Sequence, residues 1–340
     1  MLADRLKTSI ALIAVISVLL YLDVTRSIAG LEGLWLVPLL LFFAIGTAWD
    51  LAGLVMANGC NLSRPTVLIS TLIVTLSPIL PLLWPLSDLT YPANATLEML
   101  GPMVVGSIVA VMVAVGREMY FYGKPVTKSD AWSPDAVPQV RVGVVTDRVA
   151  ATVLIAIYVG LPMAMLFSLR SLGSGNWGIA ALLTMVLVTK SSDAGAYFVG
   201  RALGKHKLIP RLSPGKTIEG AIGGVLSSTI VAFVCLKWLF PFFLGPAAEA
   251  VLADNLAGNA NLAAASMPPV VGALILGPIL AVSGMLGDLA ESLIKRDAAA
   301  KDSGKLLPGL GGVWDVTDSL ISATMPAFLC FSAGVAGPIF

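Results

Sequence analysis

The side chains best suited to chemistry in this sequence form a group near residue 290. Asp288, Glu291, Ser292, Lys295 and Arg296 recur at intervals of three and four residues, which places them on one face of a helix. Carboxylate oxygens bind Mg²⁺, and Lys and Arg neutralise phosphate groups. This face therefore predicts a divalent cation held beside bound phosphates. A helix end with ion pairs and snorkelling cations is the alternative.

Two more carboxylates follow a glycine-rich segment. Residues 308–312 read Pro-Gly-Leu-Gly-Gly, which cannot be helical and could bring backbone amides close to an anion. Asp315 and Asp318 come next, at the start of an apolar segment. Asp315 is predicted to be the second metal ligand beside Asp288, because a divalent cation needs further carboxylate oxygens. Acidic residues at a helix start also complement the helix dipole, so the role of Asp318 stays open.

A basic loop that carries hydroxyl groups lies about 70 residues earlier. Residues 213–217 read Ser-Pro-Gly-Lys-Thr and resemble the end of a phosphate loop, but the first glycine of that motif would fall on Pro210 and no strand is predicted before it. A helix beginning near Thr217 still offers amides to a phosphate. The residues predicted to bind phosphate are Ser213, Lys216, Thr217, Ser292, Lys301, Gly311 and Gly312.

Two carboxylates lie inside apolar segments, where an ionisable group is costly and is by default a functional candidate. Asp193 has Tyr197 one helical turn later, and we expect it to belong to the site. Asp50 lies beside Trp49 in another apolar segment. A structural hydrogen bond and a substrate contact are both open for Asp50.

The composition identifies the solvent in which these residues must be placed. Of 340 residues, 57% are hydrophobic and only 12% are charged, against about a quarter charged in soluble proteins. The chain is therefore a membrane protein. Its net charge of +1 gives no field that would attract nucleic acid. One histidine and three scattered cysteines exclude a His-rich metal site and a disulfide framework.

The hydrophobic runs predict an all-α, polytopic membrane protein forming a single domain over residues 1–340. We divide it into an N-terminal helical half, 1–170, and a half, 177–340, that carries the motifs. A transmembrane helix needs about 20 apolar residues, and nine such runs are present. They cover residues 9–22, 34–57, 66–86, 99–116, 149–169, 177–200, 220–244, 268–291 and 319–338.

The positions of the basic residues predict the orientation of these spans. With the N-terminus inside, all but three of the 21 Lys and Arg residues lie on the cytoplasmic side. The exceptions are Arg26, Arg170 and Lys237. We therefore expect a cytoplasmic N-terminus and an external C-terminus. Removal of the short first span as a signal peptide is an open alternative.

The motifs resemble those of the phosphatidate cytidylyltransferase (CDP-diacylglycerol synthase) family. The C-terminal signature of that family is matched with intact spacing, and segments 193–201, 204–208 and 213–220 are also similar. Two positions depart from the pattern, since Leu310 replaces a histidine and Val316 an arginine. The matching signature residues are Ser292, Lys295, Arg296, Lys301, Asp302, Gly304, Pro308, Gly309, Gly311, Gly312, Asp315 and Asp318.

This resemblance implies a nucleotidyltransferase of phospholipid biosynthesis that converts CTP and phosphatidate (phosphatidic acid) to CDP-diacylglycerol and diphosphate. Lys295, Arg296 and Asp193 are the predicted catalytic residues. Asp288 and Asp315 are predicted to hold Mg²⁺, either as a metal pair or as one Mg²⁺ with a monovalent partner such as K⁺. The expected location is the bacterial inner membrane, with the site facing the cytoplasm.

Other functions remain open from the sequence. The acceptor could be another lipid phosphate, such as a polyprenol or ether-lipid phosphate. An anion transporter using Asp50, Asp193 and Asp288 is a rival from another class, although no internal repeat is visible. Leu310 and Val316 suggest a catalytically impaired family member as a third alternative. Pairing of two copies through helix faces rich in Gly and Ala is also left open.

Overall fold

The computed structural model describes residues 2–28, 31–83, 100–122, 143–173, 175–245 and 267–336. Nearly all of this part of the chain is helical, which confirms the predicted all-α fold class. The helices are α1 Leu2–Thr25, α2 Val37–Ala57, α3 Arg64–Leu76, α4 Leu80–Leu83, α5 Gly101–Phe121, α6 Val144–Arg170, α7 Trp177–Leu203, α8 Ile218–Val234, α9 Pro269–Asp297 and α10 Trp314–Ser332.

Within the described residues, seven helices are long and apolar enough to cross a membrane, which supports a polytopic protein. The predicted spans 66–86 and 319–338 correspond to the shorter α3 and to α10, which are not among the seven. The nine-span count and the sidedness of the termini stay predictions. Residues 84–86, 99 and 337–338 of the predicted spans lie outside the described part. The seven are Asp4–Thr25, Leu34–Ala57, Gly101–Phe121, Val144–Arg170, Trp177–Leu203, Ile218–Gly245 and Pro269–Asp297.

A small hairpin joins α7 to α8. Strand β1, Lys207–Ile209, pairs antiparallel with β2, Ser213–Thr217. The expectation that no strand precedes the Gly-Lys-Thr motif was wrong, because β1 does, and the motif itself lies in β2 rather than in a phosphate loop. The hydroxyl of Thr217 accepts a hydrogen bond from the backbone N–H of Gly220 (3.1 Å). Thr217 therefore caps α8 and fixes where the hairpin ends.

Two buried apolar clusters hold the bundle together, and α10 contributes to both. One joins α7, α8, α9 and α10 around Trp177, Leu276 and Phe331. The other joins α2, α3, α6 and α10 around Ile155 and Trp314. Because α10 is packed on both sides, its rotation about its own axis is fixed, and the acidic residues of its first two turns have defined directions.

Glycines allow close helix contacts beside the acidic residues. A Cβ atom at Gly195 of α7 would lie 2.4 Å from the Cβ of Ser227 in α8. One at Gly287 of α9 would lie 2.5 Å from the carbonyl oxygen of Asp318 in α10. Small residues let helix backbones approach each other. Gly287 therefore brings the start of α10 against the acidic face of α9.

Candidate functional site

The two polar clusters of the sequence meet in the folded chain. The Nζ atom of Lys216, at the end of the hairpin, lies 2.6 Å from Oδ2 of Asp288 on α9. Both side chains are partly exposed, with relative exposures of 23% and 35%. The hairpin is thus held over the acidic face of α9, and a basic and an acidic group share one site.

Three carboxylates converge at this point. Asp288, Glu291 and Asp318 each place an oxygen within 4.8 Å of the other two. Glu291 and Asp318 are buried, at 3% and 7% exposure. Three oxygen donors that converge in this way fit a hard divalent cation such as Mg²⁺. We call these three residues the carboxylate triad.

Asp315, the second predicted metal ligand, lies outside the triad. Its Oδ1 accepts a hydrogen bond from Lys295 (2.8 Å), and its Oδ2 accepts from the backbone N–H groups of Ser303 (2.9 Å) and Gly312 (2.7 Å). Burial would raise the pKa of Asp315, but hydrogen bonds with Glu291, Lys295 and these backbone groups lower the pKa to about 2. In this arrangement Asp315 organises the loop, and its metal role stays a prediction.

The basic residues predicted on α9 have different environments. Lys295 Nζ lies 2.8 Å from Asp315 and 3.0 Å from Glu291, so this cation is paired with two carboxylates. Arg296 and Lys301 are exposed, and Ser292 is half-buried. Their roles in catalysis and phosphate binding stay predictions.

A basic residue that the sequence reasoning missed lies beside Asp193. Lys190 Nζ donates to Ser319 Oγ (2.9 Å) and to the carbonyl of Val316 (3.0 Å), and it lies 3.7 Å from Asp193 Oδ2. Ser319 Oγ in turn donates to Asp193 (3.2 Å). Asp193 is therefore connected to α10 through this network. The spacing of Lys190 and Asp193 at i and i+3 was the signal that could have identified the pair.

A cavity of about 440 Å³ opens between α7, the hairpin and α9. Its lining includes four charged side chains, and Arg201 donates a hydrogen bond to the hydroxyl of Tyr197 (2.9 Å). The cavity has room for a phosphate-bearing ligand beside both acidic and basic groups. Its polar lining residues are Asp193, Tyr197, Arg201, Ser213, Lys216, Thr217 and Asp288.

The glycine-rich segment forms a tight loop with internal hydrogen bonds. The backbone N–H of Gly311 donates to Leu307 (3.0 Å), and that of Gly312 donates to Asp315. Gly309 and Gly311 have φ angles of +79° and +97°, which favour glycine. Since both predicted phosphate-binding amides already have acceptors within the loop, phosphate binding by Gly311 and Gly312 stays a prediction.

Asp50 of α2 makes structural hydrogen bonds, one of the two roles left open by the sequence. Its Oδ2 accepts from the backbone N–H groups of Val313 (2.6 Å) and Trp314 (3.2 Å), and the residue is 5% exposed. These are unpaired donors at the start of α10. A carboxylate from another helix therefore caps α10 and fixes the end of the glycine-rich loop.

Replacing Asp50 by Ala is expected to destabilise the protein by about 3 kcal/mol, because two buried N–H groups lose a charged acceptor. Asp50→Asn keeps an acceptor oxygen and should lose less. Unfolding in mixed micelles with increasing SDS measures both. Equal stability of wild type and Asp50→Ala would contradict this role.

Comparison with known proteins agrees with the architecture of this site. A model of the cytidylyltransferase family matches residues 3–333. The chain belongs to the cytidylyltransferase family. The match includes the hairpin, the triad and the glycine-rich loop, so all elements of the site lie within the family region.

Several curated proteins are similar to the chain. A phosphatidate cytidylyltransferase of Haemophilus influenzae is 38% identical over 45% of this chain and 46% of the relative. One of Bacillus subtilis is 35% identical over 52% of this chain and 55% of the relative. The uncharacterized protein YnbB of Escherichia coli is 36% identical over 45% and 43%. The chain thus spans about half the length of these relatives.

Proposed function

We propose that this protein is a phosphatidate cytidylyltransferase that converts CTP and phosphatidate to CDP-diacylglycerol and diphosphate. An oxygen of the lipid phosphate attacks the α-phosphorus of CTP. The bond from that phosphorus to the oxygen bridging to the β-phosphorus breaks, and diphosphate leaves with the bonding electrons. The contact between Lys216 and Asp288 carries this proposal, because it unites phosphate-binding and metal-binding groups at one cavity.

The residues of the site have roles suited to this reaction. Positioning two anions and dispersing charge are the main tasks, and Lys216, with Arg201 across the cavity, supplies positive charge. A phosphate monoester is largely ionised near neutral pH. The reaction therefore needs no strong general base, in keeping with a chain whose one histidine is His206.

Asp288, Glu291 and Asp318 are the residues that would hold Mg²⁺. The cation, when bound, supplies Lewis-acid stabilisation of charge on the transferred phosphoryl group and the leaving group. A second cation, divalent or K⁺, belongs to the same proposal. Lys190 and Ser319 orient Asp193 beside this group.

The lipid acceptor would reach the site from the bilayer. Its acyl chains would stay among the apolar surfaces of α7 to α10, with the phosphate at the cavity. We place the site at the cytoplasmic face of a bacterial inner membrane. The distribution of Lys and Arg supports this orientation, and the similar proteins named above come from bacteria.

The deciding experiment incubates the purified, detergent-solubilised protein with labelled CTP, phosphatidate and Mg²⁺. We expect labelled CDP-diacylglycerol and free diphosphate in equal amounts. Parallel reactions contain a polyprenyl phosphate or an ether-lipid phosphate, and product only there would reassign the acceptor. The absence of product with all three acceptors would contradict the enzyme and leave the impaired protein or the anion transporter.

Replacing Lys216 by Ala is expected to lower kcat/KM by about 100-fold, because a cation beside developing phosphate charge is lost. Lys207→Ala is the matched control, since Lys207 is exposed in the same hairpin. Its activity should stay near that of wild type. Equal losses in the two variants would show that only the overall charge of the hairpin matters.

A further inference from the structure

Helix α1 is attached to the bundle at both of its ends. Near its N-terminus, Arg5 Nε donates to the carbonyl of Gly309 (2.7 Å) and Thr8 Oγ1 donates to that of Pro308 (2.9 Å). Near its C-terminus, Asp23 accepts a hydrogen bond from Arg170 Nε (2.6 Å). Between these contacts its apolar side chains are exposed, with Ile10, Ile13 and Val18 at 57%, 63% and 56%. The fixed points of α1 are therefore polar and terminal.

The far contact sets the position of α1 along the bundle. Arg170 is 2% exposed and also donates to the carbonyl of Gly175 (3.1 Å), so the partner of Asp23 is itself fixed. From Asp23 to Arg5 the helix extends about 27 Å at about 1.5 Å per residue. That length is close to the hydrocarbon thickness of about 30 Å. A continuous helix anchored at Asp23 therefore delivers its first turns to a defined place at the opposite end of the bundle.

The near contact lies on the glycine-rich loop. A Cβ atom at Gly309 would lie 2.8 Å from the backbone nitrogen of Arg5, so the loop and α1 touch backbone to backbone. The same loop is held on its other side by Asp50, which accepts from Val313, and by Asp315, which accepts from Gly312. The loop is thus held between the carboxylates of the bundle and the first turns of α1.

We propose that Arg5 and Thr8 are positioning residues, and that α1 holds the loop 307–312 so that α10 starts with its carboxylates in place. Neither side chain needs to touch a substrate, because both act through the carbonyls of Pro308 and Gly309. The importance of this contact for catalysis rests on the proposed function. The restraint on the loop itself does not, and it can be measured without substrates.

Hydrogen–deuterium exchange of the full chain in detergent tests the restraint. In Arg5→Ala and Thr8→Val, amides of peptides covering 303–313 should exchange about ten-fold faster. Peptides covering the hairpin at 205–217 should exchange at the wild-type rate. Thr8→Ser keeps the hydroxyl and should restore protection. Lys7→Ala removes an exposed positive charge from the same turn and should leave both regions unchanged.

Cytidylyl transfer supplies the second readout. Arg5→Ala and Thr8→Val should lower kcat/KM about ten-fold at an unchanged melting temperature, while Thr8→Ser and Lys7→Ala match wild type. Unchanged exchange at 303–313, or faster exchange spread equally over all peptides, would overturn the proposal. So would faster local exchange with unchanged kcat/KM. If wild type makes no CDP-lipid, the proposed function fails, and the exchange result alone decides whether α1 restrains the loop.

Discussion

Replacing Asp288 by Asn is expected to lower kcat/KM by about 1,000-fold. Asp288 is a member of the carboxylate triad and also the partner of Lys216 at 2.6 Å. The substitution keeps the size of the side chain and removes its negative charge. It therefore weakens the cation site and leaves Lys216 without its ionic partner, two losses in the same place.

Asp297→Asn is the matched control for this prediction. Asp297 lies on the same helix, is exposed, and accepts a hydrogen bond from Asn58 (2.6 Å) that an asparagine can retain. Its activity should stay within about two-fold of wild type, as for surface changes of small energy. Activity near the wild-type level in Asp288→Asn would exclude this carboxylate from the reaction.

Asp318→Asn and Asp315→Asn are expected to have opposite signatures. Asp318 belongs to the triad, so its loss should raise the Mg²⁺ concentration for half-maximal activity by about 10- to 100-fold, as with other changes at a metal site. Asp315 holds Lys295, Ser303 and Gly312. Its loss should lower thermal stability and kcat while the Mg²⁺ dependence stays near that of wild type.

The measurement combines Mg²⁺ titrations of activity with Mn²⁺ binding followed by electron paramagnetic resonance. The binding arm needs no substrate and remains informative if turnover is lost. The reverse result, weaker binding in Asp315→Asn and normal binding in Asp318→Asn, would support the pair of Asp288 and Asp315 predicted from the sequence. Weakened binding in both would mean that the cation engages four carboxylates.

The two acidic residues of α10 illustrate why the sequence identified the region of the site but did not determine its ligands. Residues three apart on a helix differ by about 60° in direction and about 4.5 Å in height. A small rotation of α10 therefore decides whether Asp315 or Asp318 faces α9. That rotation is set by Trp314 and Phe331 in two separate apolar clusters and by the close approach at Gly287.

Long-range contacts account for the other residues that the sequence left undecided. Asp50 meets Val313 across more than 260 residues, and Arg5 meets Gly309 across about 300. A helix cap supplied by a distant carboxylate has no local spacing that would predict it. Lys190 is different, because its spacing from Asp193 was visible in the sequence and only its importance was missed.

The sequence by itself determined the membrane class, the helical fold and the shared face of Asp288, Glu291 and Lys295. Composition selects the solvent, and helical periodicity fixes neighbours within one segment. Only the tertiary structure decided that Lys216 pairs with Asp288, that Asp318 joins the triad, and that Asp50 and Arg5 hold the loop. Those choices depend on how separate helices rotate and pack against one another, a property of the whole bundle and not of any one segment.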